Sequence, residues 1–182
     1  HTTNDVVRGA IIPATQGAAC ALATRLMDGE PVLPAKMVTH CWGNRFLDLV
    51  AAVVADALGK SQWAAVHYLL EHGIAALYAI LLEKGALERT YWICALSINQ
   101  HCGICGANPR GDKDPVTGME HAPCTCGRPK YFNTTEPVTD QGASIECEMN
   151  KFDCVLRLLH GEVRGFRQTV VVDERFDIFT RA

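Results

Sequence analysis

Two close cysteine pairs constrain this chain more than any other feature. Cys102-x2-Cys105 and Cys124-x-Cys126 lie in a run from His101 to about Ser144 that is rich in Gly, Pro, Asp and Asn and lacks helical or strand periodicity. An unstructured loop of that length is uncommon in a compact domain unless it is functional or held by something. Zinc takes four soft or borderline ligands in a tetrahedron, and a Cys-x2-Cys knuckle followed by glycine lets two thiolates face one ion. The Cys-x-Cys pair is tighter, but it can serve the same ion if the backbone turns. The candidate ligands are His101, Cys102, Cys105, Cys124 and Cys126, with His121 and Cys147 as nearby substitutes. Four protein ligands would close the site and make the zinc structural; three and a water would leave it open for chemistry. The alternatives are unliganded or disulfide-paired cysteines in a flexible loop, and a redox or catalytic thiol.

Cysteine count bears on the compartment. Nine cysteines in 182 residues is an odd number, and a chain this long does not need a disulfide framework. A metal site in a reducing intracellular compartment, cytoplasmic or organellar, is the expectation. Cys20, Cys41, Cys94 and Cys154 sit in apolar surroundings and read as small core side chains. Asn133-Thr-Thr matches a glycosylation acceptor, but the cysteine reading argues against a secreted protein. A net charge of -3 without a dense Lys/Arg run argues against nucleic-acid binding through a basic face. The nearest approach to a membrane span, Ala64 to Leu82, contains His67, Glu71 and His72, so it reads as a buried helix. His1 is not an initiator methionine, which suggests a processed or truncated chain.

Around the loop, elements alternate. The sequence predicts an irregular leader, a helix over Gln16 to Met27, a strand over Lys36 to Cys41 and a helix over Arg45 to Leu58. Asn44 is the candidate cap of that helix, and Gly59 its stop. A second helix is expected from Ser61 to about Lys84, closed by Gly85. Tyr91 to Ile98, aromatic and β-branched, reads as the central strand, buried on both faces. Beyond the loop come a helix over Glu146 to Gly161 and a strand over Phe166 to Val172. Such alternation predicts an α/β fold: a parallel sheet of at least three strands with flanking helices and the cysteine loop, residues 101–144, as an insertion.

Ligands of open α/β sheets collect at the carboxyl ends of strands. Two such ends carry groups that a bare core does not require: His40, Trp42, Asn44 and Arg45 after the first strand, and Asn99, Gln100 and His101 after the second. Together they form a candidate pocket. Each also has a plain structural explanation, with Asn44 as a helix cap, Trp42 as packing and His40 as a hydrogen-bonded core histidine.

These residues carry a resemblance. Val38-Thr-His-Cys-Trp-Gly resembles the strand-end SY-x-WG signature of heterokaryon-incompatibility (HET) domains, and Tyr91-Trp-Ile-Cys-Ala-Leu-Ser-Ile-Asn-Gln resembles their WID-x-x-CI-x-Q strand. Met149 to Leu156 is similar to the helix that follows, and Phe179-Thr-Arg-Ala to the start of their SRxW-x-x-QE segment. The loop with CEMNKFD resembles cysteine-loop TIR/HET-like proteins of unicellular algae, which makes an organellar, even plastid, setting an expectation. HET domains are similar to TIR domains, so the resemblance, over about Lys36 to Ala182, implies a flavodoxin-like fold. It also implies NAD or a related nucleotide as a cofactor, at His40, Trp42, Asn44 and Asn99.

This chain departs from the family pattern twice. Cys94 stands where the family has an acid after WI, and the glutamate used in TIR-type NAD cleavage lies on a helix beyond Ala182. Glu174 and Asp173 are weak stand-ins for it. The domain reads as a single incomplete unit over residues 1–182, with no catalytic residue assigned. The expected function is a non-catalytic, zinc-stapled interaction domain with a protein partner, an accessory subunit of a larger assembly. The competing readings are a nucleotide-binding or NAD-cleaving enzyme, and a zinc hydrolase with Glu120 or Glu146 as base.

Overall fold

Short apolar runs form the strands of the computed structural model, which describes residues 1–130, 151–173 and 176–179. Strands β1 (Lys36–Thr39), β2 (Tyr91–Ile93) and β3 (Arg167–Val170) make one parallel sheet in the order β2-β1-β3. Its register sets Met37 beside Trp92 and Gln168, and Val38 beside Ile93 and Thr169. Successive strand residues point to opposite faces. Met37 and Val38 are both buried, so both faces are covered.

Helix α4 (Phe46–Ala57) covers one face, where Leu49 and Ala52 pack on Val38 and Val171. On the other face, α8 (Lys151–Glu162) brings Leu159 against Met37, Trp92 and Ile98. Two further helices, α5 (Ala64–His72) and α6 (Ile74–Glu83), pack through Val66 and Leu77 on Ala51 and Ala55 of α4. The fold is α/β, and its strand order opens as the flavodoxin-like order does.

Asp56 of α4 ties the layers together. Its carboxylate accepts hydrogen bonds from Lys36 Nζ (2.7 and 3.0 Å), Tyr91 Oη (2.7 Å) and Thr169 Oγ1 (3.2 Å), one residue from each strand. Burial alone pushes this carboxyl up, but Lys36 and the two hydroxyls bring it net below its ordinary value.

Several elements differ from the sequence expectation. β1, not the Tyr91–Ile98 run, is the central strand; β2 is an edge strand of 3 residues. The chain then coils into α7 (Cys94–Ser97), where Ser97 Oγ accepts from the Ile93 N–H at 3.3 Å and Gln100 Nε2 donates to the Cys94 and Ala95 carbonyls. Local side-chain bonds of this kind compete with a strand ladder. The helix expected over residues 61–84 is two helices, broken at Gly73 (φ -154°, ψ 46°). Asn44 caps nothing: the residue before α4 is Arg45, with no side-chain cap, while the Asn44 carbonyl accepts from Thr3 N. Gly59 (φ 71°) and Gly85 (φ 59°) do stop their helices in the left-handed conformation.

The leader is not irregular. Residues from α1 (Thr3–Val6) through a π-helical segment (Val7–Ile11) to α2 (Ile12–Thr15) form one rod, opened by a Thr2/Asp5 capping box. The next helix, α3, is only Leu22–Leu26, because Ala19 turns the chain at φ 47°. Among the described residues, no helix is long and apolar enough to cross a membrane. Asn133, Glu146, Cys147, Met149 and Glu174 lie outside the described residues.

Candidate metal centre

Residues 101–130 fold back on themselves against the rod and α7. Val7, Ile11 and Ile12 of the rod pack with Ala95 and Cys105, and Cys124 and Cys126 close the same cluster. Polar bonds fix the rod to the rest of the loop. Asn4 Nδ2 donates to Asp112 (3.1 Å), Arg8 Nη1 donates to the Ala107 carbonyl (3.0 Å), and His121 Nε2 meets Asp5 Oδ1 at 3.1 Å. Within the loop, the Cys124 N–H donates to the Cys105 carbonyl at 2.7 Å, which brings the two cysteine-bearing turns side by side.

Four ligand atoms gather there. One each from His101, Cys105, Cys124 and Cys126 lie within 4.8 Å of one another. Cys105 Sγ is 3.6 Å from Cys126 Sγ, and Cys124 Sγ is 3.5 Å from His101 Nδ1. A tetrahedral zinc with ordinary bond lengths separates two sulfurs by about 3.8 Å, and a sulfur from a nitrogen by about 3.6 Å. These two spacings match that shell, and the group could hold a metal ion such as zinc.

His101 is fully buried and its orientation is enforced. The hydroxyl of Thr15 donates to the Ile11 carbonyl (2.7 Å) and lies 2.9 Å from His101 Nε2. With its hydrogen spent on Ile11, Thr15 Oγ1 accepts from Nε2–H. Nδ1 then keeps a lone pair, aimed at the three sulfurs, which is the tautomer a metal needs. Burial first, then Lys130 and Arg128, also lower the His101 pKa and favour the neutral ring.

The thiols differ among themselves. Burial pushes Cys105 up to about 11, with Cys126 adding to the rise. At Cys126 the Arg128 N–H leads a set of bonds that lower its value. Three thiolates and a neutral imidazole around a divalent ion leave one net negative charge. Lys130 Nζ supplies a positive one 3.8 Å from Cys126 Sγ, while donating to the His101 and Arg128 carbonyls at 2.7 Å each. Glycine at 106 makes room for that side chain, since a Cβ there would sit 2.8 Å from Lys130 Cε.

The remaining sequence candidates are placed elsewhere. Cys102 is not in the group, so the first pair of ligands is His101-x3-Cys105 and not the Cys-x2-Cys knuckle. His121 is engaged by Asp5, not by the sulfurs. Among the described residues, no disulfide joins any cysteine. At the β1 end, Trp42 Nε1 donates to Cys94 Sγ (3.3 Å), with His40 Nε2 4.0 Å from the same sulfur. Asn99 turns away, its side chain donating to the Ala19 carbonyl (2.9 Å) and accepting from His101 N (3.0 Å). His40 and Trp42 therefore meet on Cys94, while Asn44 and Asn99 serve other contacts. Thr15, Lys130 and the rod itself do not follow from the sequence reading; the Thr2-x-x-Asp5 capping box and the four-residue spacing of Val7 and Ile11 are the signals of a helix there.

Comparison of the chain with protein-family models, with curated proteins and with solved structures finds no match.

Proposed function

We propose that this chain is a non-catalytic, zinc-stapled interaction domain, and that its zinc is structural. One observation carries the reading: His101, Cys105, Cys124 and Cys126 bring four ligand atoms within 4.8 Å of one another, with Thr15 beside Nε2 of the imidazole. Four protein ligands leave no position for a water or substrate, which argues against the zinc hydrolase. The staple fastens the rod and the loop to the α/β core. The order β2-β1-β3 is common to flavodoxin-like sheets, and the relation to TIR/HET signalling adaptors rests on the sequence resemblance. Against NAD cleavage stand the crevice contacts, in which His40 and Trp42 pack on Cys94 and Asn99 closes a turn. Three cysteine ligands suit a reducing compartment, cytoplasmic or organellar, and support that part of the reading.

Metal analysis of the purified chain should give one zinc per chain, and X-ray absorption three sulfur and one nitrogen neighbours. A zinc content near zero, or a water in the shell, sinks the structural staple. Calorimetric titration with NAD should show no heat of binding; measurable binding abolished by Trp42→Ala would restore the nucleotide reading.

A further inference from the structure

The three sulfurs of the metal group differ in access and in what they face. Cys105 is 2% exposed and packs with Val7, Ile11 and Ile12 of the rod. Cys124 and Cys126 are each partly exposed. Cys124 Sγ faces His101 Nδ1 at 3.5 Å, whereas Cys126 Sγ faces Cys105 Sγ at 3.6 Å. Beside Cys126, at 3.8 Å, stands the Lys130 ammonium, anchored by its bonds to the His101 and Arg128 carbonyls. One accessible sulfur therefore has a proton donor on one side and a buried second sulfur on the other.

We propose that Cys126 and Cys105 are a redox latch on the staple: hydrogen peroxide joins them in a disulfide, and the zinc leaves. The inference rests on the zinc reading of this site and adds its regulation. Metal-bound sulfurs are thiolates, the nucleophilic form. Cys126 Sγ attacks one peroxide oxygen; the S–O bond forms, the O–O bond breaks, and the departing hydroxide takes a proton from Lys130 to leave as water. Cys105 Sγ then displaces the hydroxyl of the sulfenic acid, which leaves as a second water with a proton from solvent. Two thiolates, one peroxide and two protons give one disulfide and two waters, the two electrons passing from the sulfurs to the peroxide oxygens. The sulfurs close from 3.6 Å to about 2.05 Å, a movement within the reach of two χ1 rotations. Cys124 and Cys126, one residue apart, would instead close a small, strained ring. After the reaction only His101 and Cys124 remain of the four ligands that zinc takes. The oxidised chain keeps residues 105 and 126 joined but loses the metal's hold on His101, on which Thr15 of the rod rests.

The test treats the reduced, zinc-loaded full chain with stoichiometric hydrogen peroxide. Zinc release is followed with a chromophoric chelator, remaining thiols are counted after denaturation, and disulfides are mapped by peptide mass under non-reducing conditions. About two thiols should be lost for each zinc released, with Cys105 linked to Cys126, and dithiothreitol with added zinc should restore both. Cys102→Ser, outside the ligand group, should behave as the parent chain does. A zinc-loaded chain that keeps its metal and thiols under this treatment overturns the latch and leaves the staple standing. A disulfide to Cys102 or Cys124, or zinc released only as a sulfinic or sulfonic acid forms, also overturns it. A chain purified without zinc that still links Cys105 to Cys126 supports the pairing while sinking the staple.

Discussion

Thr15 decides which nitrogen of His101 is offered to a metal, although 86 residues separate them in the chain. Thr15→Val keeps the shape but removes the acceptor for Nε2–H, so the ring loses its orientation and Nε2 its partner. Losses of such outer partners cost about 10–100-fold in metal affinity. Competition for zinc against a chromophoric chelator should show a loss of that size, with unchanged stoichiometry at saturating metal. Cys105→Ser and Cys124→Ser should lose the metal altogether and loosen the loop. Cys102→Ser should keep it, because Cys102 is outside the ligand group. Zinc loss in the Cys102 variant would mean that the ligand set is wrong.

At the scale of elements, the rod and the α4–α5–α6 layer differ in what holds them. The start of the rod is tied to Trp42 and Asn44 by backbone bonds, and the rest packs on the loop through Val7 and Ile11 at the cysteines and the Asp5–His121 pair. Removal of zinc should therefore release the rod together with the loop. Amide exchange after chelation should rise in residues 3–15 and 101–130, while α4 and β1 stay protected. Leu77, 1% exposed, holds α6 to the layer beneath it. Leu77→Ala should cost about 2–5 kcal/mol in denaturant unfolding. A change below about 1 kcal/mol would mean that α6 is not packed as described.

For the whole molecule, the Asp56 junction couples sheet to helix layer and gives stability a pH dependence of definite sign. Its carboxyl lies lower in the folded chain than the ordinary 3.8, so the unfolded chain binds the proton more tightly. The contribution is complete above that value and fades as pH falls through the folded value. Asp5, pushed up by burial but brought net lower by Thr2 and His121, acts in the same direction. Asp56→Asn should lower stability at neutral pH by about 1–3 kcal/mol. It should also flatten the loss on acidification below about pH 4, as followed by thermal melts. An unchanged acid profile would count against the junction.

The sequence by itself determined the α/β class, the helix stops at Gly59 and Gly85, and Cys105, Cys124 and Cys126 as candidate metal ligands. These are local matters of periodicity, backbone freedom and side-chain chemistry. It did not determine which strand is central, because Tyr91–Ile98 has the composition of a buried strand while Ser97 and Gln100 take up its backbone groups. Nor did it separate Cys102 from His101 as a ligand, since spacing favours the knuckle and only the loop's path aims side chains. The rod was hidden for the same reason. Its buried residues Thr3, Val7, Ile11 and Thr15 stand four apart, but Ala95 and the cysteines that pack on them lie more than eighty residues away, and the row does not name its partner.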